Sequence, residues 1–137
     1  MYADSDAEVV AAEGRSIADI FAAEGEAYFR KAEKQALMRL GMKNGMVIST
    51  GGGAVLDHEN YYSLKANGRI YYLERDINSL ATKGRPLSSD AEALAAMQRD
   101  RLPLYRRYAD VIIDNDGDFF GSVDKIREDT SSENFDN

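Results

Sequence analysis

With 137 residues, 44% of them hydrophobic and 30% charged, the chain has the length and composition of one globular domain with a core of its own. Seventeen Lys and Arg against 24 Asp and Glu leave a net charge of −7, the wrong sign for a partner such as nucleic acid or an anionic membrane surface. The absence of cysteine and the single histidine exclude a disulfide framework, a thiolate metal site and a histidine cluster. No apolar run reaches the roughly 18 residues of a membrane helix, and the N-terminus lacks a basic region followed by an apolar stretch. The expectation is a soluble, cytoplasmic protein.

Met1-Tyr2-Ala3 reads as the end of a strand that breaks into a helix over 6–13, capped by Asp6 or Ser5 and stopped by Gly14. Ser16 and Asp19 make a weak capping box for a short helix with Ile17, Ile20 and Phe21 on one side, broken at Glu24-Gly25. A longer helix over 26–40 follows, with Phe29, Leu37 and Leu40 as apolar anchors. Next comes Met46-Val-Ile-Ser49, a short buried strand emptying into Gly51-Gly52-Gly53, where backbone can approach a ligand without a Cβ in the way.

Asp57 caps a helix running to Ala66, Asn67-Gly68 stops it, and 69–74 is a second strand. One helical turn over 76–80, a loop over 83–89, a helix over 90–100, a break at Pro103 and a resumed helix over 104–108 are expected next. A last strand over 109–113 and a helix over 119–127 complete the domain, 1–127, and the polar segment 128–137 reads as a disordered tail. Strands alternating with helices imply α/β architecture with a parallel sheet, whose ligands lie beyond the carboxyl ends of the strands. That rim takes in Asp4, Asp6 and the glycine triplet.

Each candidate has a plain reading beside the functional one. Asp4 and Asp6 serve as helix caps. Arg30, with Glu26 four residues before and Glu33 three after, makes a surface ion-pair ladder worth a few tenths of a kcal/mol per pair. Arg85 and Arg101 read as solvated charges, His58 as an exposed polar residue, and the Tyr61-Tyr62 and Tyr71-Tyr72 pairs as packing.

Taken together, Asp4-Ser-Asp6, Gly14-Arg-Ser-Ile-Ala-Asp-Ile-Phe21, Glu24-Gly-Glu-Ala-Tyr-Phe-Arg30 with Glu33, Ser49-Thr-Gly-Gly-Gly-Ala-Val55, Gly84-Arg-Pro-Leu87, Arg101-Leu-Pro-Leu-Tyr105 and Ala109-Asp110 resemble the shikimate kinase family, in order and over residues 1 to about 115. The resemblance implies a three-layer P-loop fold of the nucleoside monophosphate kinase type. It also implies transfer of the γ-phosphoryl of ATP to the 3-hydroxyl of shikimate in aromatic amino acid biosynthesis, with Mg2+. By that resemblance Asp6 holds the substrate hydroxyls and accepts the proton of the attacking one. Arg30 and Arg101 grip the carboxylate, for which a guanidinium fork is suited. Gly52 contacts shikimate through its backbone while Gly51 and Gly53 keep the approach clear. Arg85 is the lid arginine that reaches the phosphates, Asp4 lies near magnesium through water, and Phe21, Phe29 and Glu33 line or brace the pocket.

The pattern departs from the family at its start. The family opens with a strand, a Gly-x-x-x-x-Gly-Lys-Ser/Thr loop and a helix ahead of the Asp-Ser-Asp stretch, and no Gly-Lys dipeptide occurs in these 137 residues. In the implied strand order, second, third, first, fourth, fifth, the missing strand is central. The expectations are therefore a chain that keeps the shikimate side, turns over ATP poorly or not at all, and self-associates or takes a partner chain to complete its sheet. The alternative is a non-catalytic remnant that binds shikimate or another small carboxylate, or a structural fragment that depends on a partner.

Overall fold

The computed structural model describes residues 1–76 and 88–133. They fall into two compact units, Met1–Arg69 and Ile70–Asn137.

The first unit opens with β1 (Tyr2–Asp4), which pairs in parallel with β2 (Val47–Ser49) in the register Tyr2 to Val47, Ala3 to Ile48 and Asp4 to Ser49. Between them run α1 (Ser5–Glu13), α2 (Ile17–Glu24) and α3 (Glu26–Gly41). A 3-10 turn (Gly52–Leu56) and α4 (His58–Lys65) follow. The expected cap of α1 is corrected. Strand pairing carries the extended backbone as far as Asp4, and it is the Asp4 carboxylate that accepts from the N–H groups of Asp6 and Ala7. Asp6 therefore lies in the first turn with its side chain released from capping.

Ser16 caps α2 through Asp19 N–H, and Asp57 caps α4 through Glu59 N–H, as the local pattern predicts. Gly25 joins α2 to α3 at φ 84°, a left-handed value that a side chain would strain. Val9, Ile20, Phe29 and Ala36 form the core, with Ile17 and Ala32 against it. Further along α3, Leu37 and Leu40 are also buried.

Where α3 meets α4, the backbones touch. A Cβ on Gly41 would overlap the Ser63 carbonyl, with its carbon 2.9 Å away. Neither backbone can yield cheaply, so Gly41→Ala is expected to lower stability by about 1–3 kcal/mol. Chemical denaturation checks this, with a fall in the unfolding midpoint at unchanged slope.

In the second unit β3 (Tyr71–Glu74) pairs in parallel with β4 (Val111–Asp114). Each described sheet is thus two-stranded. The unit also holds α5 (Ser88–Tyr108) and α6 (Phe119–Glu133). Two expectations are corrected here. The break at Pro103 does not occur: α5 runs through it as one helix. Pro103 and Arg99 both face solvent, so the carbonyl that loses its partner to the proline is open to water. Likewise α6 continues past 127 to Glu133, so residues 128–133 of the expected tail are helical. Hydroxyls of Thr130, Ser131 and Ser132 bond back to carbonyls one turn earlier, which lets a polar sequence extend the helix. The helical turn over 76–80 lies, from residue 77 on, outside the described residues, as does the loop as far as 87.

Among the described residues, no helix is long and apolar enough to cross a membrane.

Candidate functional site

The first unit brings six of the expected residues together around the end of β2. β1 delivers Asp4, the first turn of α1 delivers Asp6, one face of α3 delivers Arg30 and Glu33, and the turn after β2 delivers Gly51 and Gly53.

Arg30 is not part of a surface ladder. Its Nη1 donates to Glu33 Oε1 at 3.0 Å, and Glu33 is only 1% exposed. The link to Glu26 is weaker: Nη2 donates at 3.5 Å, and Nε lies 3.5 Å from the same oxygen without hydrogen-bond alignment. One face of the guanidinium rests over the Phe29 ring at 5.2 Å, a cation–π distance. The Phe29 ring itself packs on Phe21 with centroids 4.9 Å apart. Phe29 is buried, whereas Phe21 is 38% exposed at the surface of that pair. A fixed, planar, partly desolvated cation is the result.

The glycine turn closes against this cation. A Cβ on Gly53 would collide with the Arg30 guanidinium, coming within 2.5 Å of Cζ and Nη2. A Cβ on Gly51 would stand 3.5 Å from Asp6 Oδ1 and 3.6 Å from Glu33 Oε2, ordinary contact. The two flanking glycines thus differ. Gly53 makes room for Arg30 rather than simply keeping an approach clear, and Gly51 lies beside the carboxylates. Gly52, between them, is exposed at the start of the 3-10 turn.

The two aspartates are driven apart electrostatically. Asp4 accepts from Ser49 Oγ at 2.7 Å, and Ser49 Oγ lies 2.9 Å from the Tyr2 hydroxyl. The Ser49 bond, with the capping N–H groups, holds the Asp4 carboxyl below its usual value. Asp6 goes the other way. Burial and the neighbouring Asp4 charge push its carboxyl up, against the pull of Arg30. Asp6 Oδ1 is buried with no hydrogen-bond partner. An acceptor of this kind, beside a held cation and a side-chain-free turn, is complementary to a ligand that offers hydroxyl donors and a carboxylate.

The fit to a resident metal is poor. No group of three His, Asp or Glu among the described residues could hold an ion, and both Asp4 oxygens are already engaged by protein donors. In the second unit, Arg101 is half-buried on α5. Arg85 lies outside the described residues. A cleft of about 380 Å³ among Glu74, Arg75, Asp76, Ile112, Asp114 and Asp116 is lined by four carboxylates, which disfavours an anionic ligand there.

Sequence reasoning missed Asn60. It is buried on α4 and donates to the Ala54 carbonyl of the glycine turn at 2.9 Å. Its position on the inner face of a short capped helix was the only signal.

Comparison with known proteins shows what the chain as a whole resembles. The sequence model of the Shikimate kinase family matches residues 1–130. The shikimate kinase of Aromatoleum aromaticum is 39% identical, over 90% of this chain and 78% of that protein. A solved shikimate kinase from Acinetobacter baumannii, in complex with shikimate, superposes with a TM-score of 0.84 at 28% identity, covering 96% of this chain and 79% of the other. One from Aquifex aeolicus gives 0.80 at 29% identity, covering 96% and 82%. Members of this family are kinases of aromatic amino acid biosynthesis that use ATP and Mg2+. With a family match across nearly its whole length and relatives of this identity, the chain belongs to the shikimate kinase family.

Proposed function

We propose that this chain binds shikimate and serves the transfer of the γ-phosphoryl of ATP to the shikimate 3-hydroxyl, in the cytoplasm, and that its first unit supplies the shikimate side. The observation that carries the proposal is the pairing of a fixed Arg30 with the unpartnered Asp6 Oδ1 around the glycine turn. In this reading Arg30 grips the carboxylate, and the Gly52 backbone lies against the ring. Phe21 and Phe29 wall the pocket, and Glu33 holds Arg30 in place.

Asp6 Oδ1 accepts hydrogen bonds from the ring hydroxyls and takes the proton of the 3-hydroxyl as that oxygen attacks phosphorus. Its raised proton affinity suits that role, because a base closer in pKa to neutrality accepts a proton more readily. ATP supplies the phosphoryl group, and Arg85 is assigned to the phosphates on which negative charge accumulates. Asp4, held ionised by Ser49 and the capping N–H groups, supplies the charge that helps raise the proton affinity of Asp6.

Asp6 has a price in stability. Because its folded-state carboxyl is held above the usual value, its ionisation opposes folding at neutral pH, and that penalty fades as pH falls through its pKa. Asp6→Asn is therefore expected to raise stability at pH 7 while weakening shikimate binding about tenfold. Thermal unfolding with and without shikimate reads both.

These 137 residues contain no Gly-x-x-x-x-Gly-Lys sequence to cradle phosphates. The purified 137-residue chain is expected to bind shikimate but to phosphorylate it weakly or not at all with ATP. Robust turnover in a coupled assay would contradict the importance assigned to that loop. A second reading, a shikimate-binding fragment that another strand completes, draws support from the described two-stranded sheets. A solution mass of one chain, unchanged by concentration, counts against self-association.

A further inference from the structure

The glycine turn contacts Arg30 at Gly53, yet the turn itself is loosely built. Three consecutive glycines give it large conformational freedom in the unfolded and locally open states. The hydrogen bond from Ala54 N–H to the Gly51 carbonyl, at 3.2 Å, is a long one. Ala54 is buried, so its own carbonyl needs a partner. Asn60 Nδ2 provides it at 2.9 Å from within α4, whose start is fixed by the Asp57 cap and which packs backbone to backbone against α3.

Asn60 is an expensive way to satisfy one carbonyl. It is 1% exposed, and its Oδ1 is buried without a partner. A buried amide with half its capacity unmet lowers stability relative to an apolar side chain of the same size. A residue that costs stability where it also fixes a ligand-facing turn is the pattern of a residue kept for function.

We propose that Asn60 is a positioning residue for substrate binding: by holding the Ala54 carbonyl it pins the glycine turn, and through Gly53 it sets where the Arg30 guanidinium presents itself. The inference rests on the reading that Arg30 grips the substrate carboxylate. Asn60 itself touches no substrate.

The test compares wild type, Asn60→Leu, Asn60→Ala, Arg30→Lys and the double variant Asn60→Leu/Arg30→Lys. Shikimate binding is measured by calorimetry well below each unfolding midpoint. Asn60→Leu keeps the number of side-chain heavy atoms and removes the amide, both the Nδ2 donor and the unpartnered Oδ1. Its shikimate Kd is expected to rise tenfold or more at unchanged stoichiometry, with no further rise when it is added to Arg30→Lys. A structural role alone would lower the fraction of competent protein and leave Kd unchanged, and that result overturns the inference.

A second readout needs no ligand. In NMR spectra of the free protein, Asn60→Leu and Asn60→Ala are expected to shift the Gly53 and Ala54 amides and the Arg30 side-chain N–H signals. Unshifted Arg30 signals would overturn the inference even if wild type fails to bind shikimate. If wild type binds, Arg30→Lys weakens it and the Asn60 variants do not, the carboxylate grip stands and the role of Asn60 falls.

Discussion

Replacing Arg30 with alanine is expected to abolish shikimate binding and to cost the first unit about 3 kcal/mol of stability. The two effects share one cause. Glu33 is 1% exposed, and Arg30 is its ion-pair partner at 3.0 Å. Taking away one member of a buried pair leaves the other charged and desolvated, which is far worse than never having had the pair. Arg30→Lys separates stability from recognition. It keeps a positive charge near Glu33 but loses the planar fork and its stacking on Phe29, so most of the stability should return while shikimate affinity stays at least tenfold down. Denaturation midpoints and calorimetry on the same preparations check both. A stable Arg30→Ala protein that still binds shikimate tightly would refute the role given to this residue.

Gly53→Ala is expected to be almost as damaging to binding, although it adds a single methyl group remote in sequence from Arg30. That methyl would occupy the space of the Arg30 guanidinium. Because the obstructing group is the end of a long side chain, the clash is relieved by moving Arg30, and since that takes the guanidinium off buried Glu33 the stability cost should approach the roughly 3 kcal/mol expected for Arg30→Ala. Displaced from Glu33 and from Phe29, the guanidinium no longer meets a carboxylate in the bound geometry. A loss of tenfold to a hundredfold in affinity is expected, consistent with a charge-assisted, bidentate contact. Gly51→Ala, whose Cβ meets only ordinary contacts near Asp6, should disturb Arg30 much less. Affinities of the two alanine variants measured side by side provide the contrast.

Much of this architecture is legible in the sequence, and the failures have identifiable causes. Caps such as Ser16 and Asp57 are local hydrogen bonds, and local residue types predict them. In Asp4-Ser5-Asp6, by contrast, either aspartate can cap. Pairing of β1 with β2, more than 40 residues away, settles the matter in favour of Asp4. That choice is what frees Asp6. The spacing of Glu26, Arg30 and Glu33 on α3 is visible in the chain, but burial of Glu33 is a tertiary property, so a surface ladder is the natural local reading. Gly53 and Asn60 act through contacts with Arg30 and Ala54 that no periodicity announces. Pro103 misleads because proline's usual effect on a helix assumes that the released carbonyl has nowhere else to bond, whereas here the helix surface is wet.

The tension between Asp4 and Asp6 links this fold to its chemistry. One acid is stabilised in its charged form by Ser49 and two backbone donors, and its charge helps raise the proton affinity of the other. Two carboxylates with opposed environments, next to an anchored cation, make an asymmetric site from adjacent turns of one strand and helix.

The central claim is that these residues hold shikimate through Arg30 and Asp6, and titration calorimetry of the purified 137-residue chain with shikimate tests it most directly. The account predicts saturable heat at one site per chain, reduced at least tenfold in affinity by Arg30→Lys. No heat at millimolar shikimate from a chain that is folded by circular dichroism would contradict it.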